Sequence, residues 1–145
     1  MTDLRAERER AGLTQARLAE ITGIAASNLS AYESGKRQAS PAMLDRIRRA
    51  MIRPSDRLRA HRDEVRDLIR RNGGHNPRVF GSVARGDDTP MSDVDIVVDV
   101  RPEDAWRFVS TSRELSELLG VHVDVVTEGG LRAKHRDVLA EAVPL

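Results

Sequence analysis

The chain has 145 residues, 39% hydrophobic, 32% charged and only 3% aromatic, and it contains no cysteine. That length allows one ordinary domain or two small ones. Disulfides and thiolate metal sites are excluded, no apolar run approaches the roughly 18 residues of a membrane helix, and no export signal opens the sequence, so the expected location is cytoplasmic with no membrane partner. The net charge of +1 conceals an asymmetry: residues 1–54 carry 10 basic and 6 acidic side chains, whereas residues 79–145 carry 7 and 13. A basic first part suits a polyanion and an acidic last part suits bound cations. The expectation is two domains with different tasks, residues 1–54 and 55–145.

The first fifty residues read as short helices separated by turn signals. "LRAERERAG" stops at Gly12, and Thr14 is placed to cap "QARLAEIT", in which Leu18, Ile21 and Ala19 are expected to point inward. Gly23 breaks that helix. "AASNLSAYESG" forms a third one ending near Gly35, and Ser40-Pro41 opens a fourth with Met43, Leu44, Ile47 and Met51 at helical spacing. A helix, a tight glycine turn and a second short helix make the helix-turn-helix pattern.

The stretch "GLTQARLAEITGIAASNLSAYESGKR" resembles the phage-repressor-like, or XRE, helix-turn-helix family, in register and without a gap over about residues 4–52. The resemblance rests on Leu13-Thr14-Gln15, Ala19, Gly23-Ile24, Ser27, Leu29, and Glu33, Gly35, Lys36 and Arg37. It implies that the helix after the turn enters the major groove, with Ser27, Asn28 and Ser30 at base edges. It also implies phosphate contacts from Gln15, Lys36 and Arg37.

Beyond Pro54-Ser55, "SDRLRAHRDEVRDLIRRNGG" predicts a helix with Leu58, Val65, Leu68 and Ile69 in one apolar stripe, stopped by Gly73-Gly74. Then come "RVF", a Gly-Ser turn, the strand "VDIVVDV", a helix over 103–119 presenting Trp106, Val109, Leu115, Leu118 and Leu119, the strand "VHVDVV", and a last amphipathic helix "LRAKHRDVLAEAV". Strands alternating with helices indicate a small α/β unit. The expected fold class is therefore an all-α helix-turn-helix bundle followed by a small α/β fold with a mixed sheet.

Alternation places the chemistry of this second part. Asp93, Asp95 and Asp99 fall on one face of their strand, opposite Val94, Ile96 and Val98; Asp124 and His122 share a face of theirs. If the two strands are neighbours, Asp124 comes near Asp93 and Asp95. Three carboxylates converging in a partly desolvated place need cations, and hard oxygen ligands select Mg²⁺ or Mn²⁺ over Zn²⁺. Upstream, Gly81 lets a phosphate approach the backbone, Ser82 adds a hydroxyl, and Arg85 offers a forked cation. Phosphate donors ahead of metal ligands make a nucleoside-triphosphate site.

Gly81-Ser82, ten intervening residues, then Asp93-x-Asp95 resembles the polymerase-β-type nucleotidyltransferases, in particular the minimal nucleotidyltransferases (MNT). "RVFGSVARGDDTPMSDVDIVVD", "LSELLGVHVDVVTEGGL" and "VLAEAV" extend the likeness over about residues 57–143. The resemblance implies that Gly81 and Ser82 hold the triphosphate, supported by Arg85. It further implies that Asp93 and Asp95 hold two Mg²⁺ ions, and that Asp124 completes one metal site and helps activate the acceptor hydroxyl. Asp99 lies outside the motif. His122 is expected to be a structural or surface residue, and Asp87 and Asp88 to serve loop solubility. The sequence ends soon after Asp124, so the acceptor is expected on a partner protein.

Small MNT proteins resemble antitoxins paired with HEPN-family ribonuclease toxins, in which AMP passes from ATP to a tyrosine of the toxin. An XRE unit in front looks like an autoregulatory half. The combination implies an antitoxin that adenylylates a cognate HEPN-type toxin and represses its own operon at operator DNA, as a homodimer on paired half-sites. The alternatives are a transcriptional regulator whose transferase part senses nucleotide or is not catalytic, a free-standing transferase for a small molecule or RNA, and toxin neutralisation by binding alone.

Overall fold

The computed structural model describes residues 3–130 and 136–145. The chain divides into a unit made of Met1–Arg53 with Thr89–Met91 and a unit made of Pro54–Asp88 with Ser92–Leu145.

The first unit is helical. Helix α1 (Leu4–Arg10) is capped by Asp3, whose carboxylate accepts from the Ala6 amide at 3.1 Å. The Thr14 hydroxyl caps α2 (Gln15–Thr22) through the Arg17 amide at 3.1 Å, and Gly23 (φ 71°) ends it in a left-handed conformation. Helix α3 (Ala26–Ser34) stops at Gly35, and α4 (Pro41–Ala50) starts with Ser40 capping and Pro41 in the first turn. Leu4, Leu13, Leu18, Ile24, Leu29, Ile47 and Met51 form the core. Ile21 does not join it: it is 37% exposed, because the inward line of α2 runs from Leu18 to Thr22, four residues on. Thr22 is buried there because its hydroxyl donates to the Leu18 carbonyl at 2.6 Å.

A buried ion pair holds the first and third helices together. Arg8 donates from Nε to Glu33 Oε1 at 2.6 Å and from Nη1 to the Leu13 carbonyl at 2.8 Å. The second Glu33 oxygen takes the Gln15 amide. Most of the polar atoms of Arg8 and Glu33 are thereby matched, the condition for burying such charges.

The second unit is a four-stranded mixed sheet covered by helices. Helices α5 (Pro54–Ala60) and α6 (Arg62–Arg71) precede β1 (Gly74–Phe80) and the short α7 (Gly81–Arg85). Strand β2 (Val94–Val100), a 3₁₀ turn (Pro102–Asp104), α8 (Ala105–Phe108) and α9 (Thr111–Leu119) lead to β3 (Val123–Thr127). A 3₁₀ turn (Glu128–Gly130), α10 (Arg136–Glu141) and β4 (Val143–Pro144) follow. The strand order is β3-β2-β1-β4, with β2 and β3 parallel and β1 antiparallel to both β2 and β4. Val94, Ile96 and Val98 are fully buried on one face, against Val65 and Ile69 of α6 and Leu115 and Leu119 of α9.

Several expectations are corrected here. The helix expected from Ser55 onward is interrupted at His61, whose φ of −116° and ψ of 21° leave the helical region. The helix expected over 103–119 breaks after Phe108. Val109 and Ser110 form a turn there before α9, the Ser110 hydroxyl donating to the Glu114 carboxylate at 2.6 Å without capping the helix, and Trp106 and Val109 stay outside, 76% and 81% exposed. Phe108 packs on the core instead. Strand β1 starts four residues before Arg78, across a bulge in which Asn76 adopts φ 50°. Of the last expected helix, residues 131–135 lie outside the described residues, and Val143 belongs to β4 rather than to α10. Asp88 is not a solubility residue: it is 2% exposed and accepts the Ser55 amide at 2.9 Å, capping the start of α5 from a distant loop.

Candidate active site

The pairing register builds the site. Phe80 of β1, Asp95 of β2 and Asp124 of β3 lie side by side, and directly paired residues point to the same face. Adjacent strands run about 4.8 Å apart, so the Asp95 and Asp124 carboxylates are immediate neighbours on the face opposite the helix-covered core. Val94 pairs with Val123, so Asp93 and His122, one residue earlier on each strand, meet at the open end of the same face. A backbone bond from the Val94 amide to the His122 carbonyl at 3.0 Å keeps the two strands paired at that end.

Ligand atoms of Asp93, His122 and Asp124 all lie within 4.8 Å of one another. His122 Nε2 is 2.8 Å from Asp124 Oδ1. The charge in this corner is unbalanced. Burial, and then the negative charges of Asp124 and Asp93, raise the Asp95 carboxyl above its ordinary value. The hydrogen bond to Asp124, followed by its charge, raises the His122 imidazole. A divalent cation relieves both effects, and carboxylate oxygens beside an imidazole nitrogen are a donor set that fits one.

Gly81 follows β1 directly and faces Asp95. Its φ is 72°, and a Cβ built there falls 2.5 Å from Asp95 Oδ2. Only glycine meets both demands without displacing the carboxylate. Ser82 continues into α7, at whose end Arg85 is turned toward the C-terminal helix. Its Nη1 donates to Glu141 at 2.8 Å and its Nε to Asp87 at 3.3 Å, and the hydrogen bond to Glu141, first, raises its already high pKa.

Asp99 sits at the far end of β2, away from Asp93. It accepts from Arg78 Nη2 at 2.9 Å and from the Asn76 amide at 3.3 Å. Burial pushes its carboxyl up, but the hydrogen bond shared with Glu128, the Asn76 bond and the Arg78 guanidinium outweigh that and hold it low. Arg78 also reaches Glu128 at 3.3 Å. These residues form a separate ion-pair cluster.

In the first unit, Ser27 and Ser30 on α3 are exposed, as are Lys36 and Arg37 beyond Gly35. Asn28 is half-buried, and its Oδ1 accepts from Arg37 Nη1 at 3.3 Å. Gln15 stands at the start of α2 with its amide on Glu33, so its orientation depends on the buried Arg8–Glu33 pair. The place of His122 beside the carboxylates and that of Arg8 beneath Gln15 are features of the fold. The signal for His122 was present, since it alternates onto the face of Asp124; nothing in one sequence marked Arg8 as buried.

Residues 58–145 match the family model described as a nucleotidyltransferase domain, and residues 4–58 match one described as a helix-turn-helix. The protein adenylyltransferase MntA of Thermococcus cleftensis is 38% identical over 88 residues, covering 59% of this chain and 86% of that protein. A protein of Methanocaldococcus jannaschii, named there as a candidate protein adenylyltransferase, is 33% identical over 78 residues, 48% of this chain and 80% of its own length. A solved structure, described as that of a candidate minimal nucleotidyltransferase, superposes with a TM-score of 0.57 at 42% identity, covering 63% of this chain and 95% of that one.

Proposed function

The chain belongs to the nucleotidyltransferase domain family, and from that premise we propose that it is an antitoxin that transfers AMP from ATP to a cognate HEPN-type toxin and represses its own operon. The observation that carries the transfer chemistry is the side-by-side pairing of Asp95 and Asp124, with Asp93 at the open end of the same face and Gly81 against Asp95. Asp93, Asp95 and Asp124 hold divalent ions, taken as two Mg²⁺. Bound ions of this kind lower the pKa of an attacking hydroxyl and neutralise a leaving pyrophosphate.

The remaining roles belong to the chain itself. Gly81 lets the triphosphate approach the backbone, and Ser82 donates a hydroxyl to it. Arg85 exchanges Glu141 for a phosphate oxygen. The acceptor hydroxyl attacks the α-phosphorus, the bond to the bridging oxygen of pyrophosphate breaks, and the hydroxyl proton leaves toward Asp124. The names of the relatives support a protein as acceptor. The choice of a HEPN-type toxin follows the MNT resemblance.

DNA binding is assigned to residues 1–54 and transfer to residues 55–145. Ser27, Asn28 and Ser30 read base edges, while Gln15, Lys36 and Arg37 contact phosphates, on a helix-turn-helix match that includes all of them. The test is incubation of the purified chain with α-labelled ATP, Mg²⁺ and the product of the adjacent gene. Label on that product, lost when Asp93→Asn and Asp95→Asn are introduced, is the expected result. An Asp93→Ala/Asp95→Ala variant that still rescues toxin-expressing cells in full would shift the function to neutralisation by binding.

A further inference from the structure

We propose that His122 is a direct ligand of a divalent ion at this site, and that the site consequently prefers Mn²⁺ to Mg²⁺. The inference rests on the metal-dependent reading above and departs from its all-carboxylate ligand set.

Register and side-chain chemistry carry it. Parallel pairing of Val94 with Val123 and of Asp95 with Asp124 sets Asp93 beside His122 in one row and Asp95 beside Asp124 in the next. Alternation turns all four side chains to one face, giving a two-by-two array of three carboxylates and one imidazole. Within that array the tightest grouping of ligand atoms is Asp93, Asp124 and His122. Asp95 instead has an oxygen against Gly81.

The spacing suits one ion. Adjacent ligand atoms of an octahedral ion with bonds of about 2.1 Å lie roughly 3 Å apart, and His122 Nε2 is 2.8 Å from Asp124 Oδ1. A ligand atom of Asp93 lies within 4.8 Å of both. His122 is 62% exposed and packs in neither core, so strand alternation rather than core packing sets it beside the carboxylates. Magnesium dehydrates reluctantly and takes oxygen ligands, whereas an imidazole nitrogen favours transition metals. Replacing one oxygen by nitrogen therefore moves the preference from Mg²⁺ toward the first-row transition metals, among which Mn²⁺ is the one that also suits a mainly carboxylate set.

The test uses the full chain with Mn²⁺ alone and no nucleotide, so that no base nitrogen is present. Electron paramagnetic resonance counts bound Mn²⁺, and electron spin-echo envelope modulation detects a coordinated nitrogen. The wild-type chain is expected to show nitrogen modulation. His122→Ala, a change at an exposed position, should lose that modulation and bind Mn²⁺ about tenfold more weakly, with a smaller loss for Mg²⁺. Asp93→Asn should lower binding of both ions. Saturable Mn²⁺ binding without nitrogen modulation, or modulation that survives in His122→Ala, would overturn the role of His122 while leaving the carboxylate site intact. A wild-type chain that binds no Mn²⁺ would overturn both.

Discussion

Gly81 is where backbone conformation and site chemistry impose the same residue. A side chain there meets a left-handed backbone, which costs about 1–2 kcal/mol, and also displaces the Asp95 carboxylate, 2.5 Å from the Cβ position. Gly81→Ala is expected to lower thermal stability modestly and transferase turnover far more; equal losses in the two assays would argue against a role for this turn in positioning Asp95. Asp95 itself makes a pH prediction. Its folded pKa lies above the ordinary carboxylate value, for which burial is the first cause, so the folded state holds the extra proton. Stability is then lost as pH rises from about 3.9 through the raised value. In the presence of a chelator, Asp95→Asn should raise the melting temperature at neutral pH, and the gain should vanish below pH 4. Divalent ions should stabilise the wild type more than Asp95→Asn, which keeps Asp93, Asp124 and His122.

At the scale of elements, the periodic segments behave as their sequence predicts and the breaks do not. Val94, Ile96 and Val98 alternate into the helix-covered core because a one-residue slip would bring the aspartates to that face, while Val97 is buried on the other. Trp106 and Val109 fit a helical pattern just as well, yet remain outside because the turn at Val109 and Ser110 breaks the helix and Phe108 takes the core position. Trp106→Ser and Val109→Ser should each change stability by less than about 0.5 kcal/mol. Asp88 is the converse case, a loop aspartate whose partner is the Ser55 amide 33 residues away. Asp88→Ala should cost about 1 kcal/mol in chemical denaturation, whereas Asp87→Ala, at an exposed position, should cost little. A null result for Asp88→Ala would mean that the start of α5 needs no remote cap.

For the whole molecule, the uneven charge of the sequence accompanies a division of labour. The segment proposed to bind DNA carries the basic excess, and the segment proposed to bind cations carries the acidic one. Binding to the chain's own upstream DNA should weaken steeply with salt, and Lys36→Ala/Arg37→Ala should flatten the slope of log K against log salt by about two. Asn28→Ala should reduce discrimination against unrelated DNA by about 1–3 kcal/mol per contacted base. An unchanged slope in the double variant would remove Lys36 and Arg37 from the phosphate contacts.

The helix-turn-helix punctuation, the Val/Ile strand with its aspartates and the Gly-Ser turn ahead of them are legible in the order of residues alone. Each depends on contacts within a few residues, through caps, left-handed glycines and two-residue alternation. The pairing of β2 with β3 can be read from the sequence only as a condition, because neighbouring strands are chosen by how the elements pack and not by either strand alone. That Asp88 caps α5, that Arg8 meets Glu33, that Asp99 belongs with Arg78 and that His122 stands beside Asp93 emerges only when the elements dock. Those contacts join residues far apart in the chain, and their energies come from burial and charge pairing that exist only once the elements have docked.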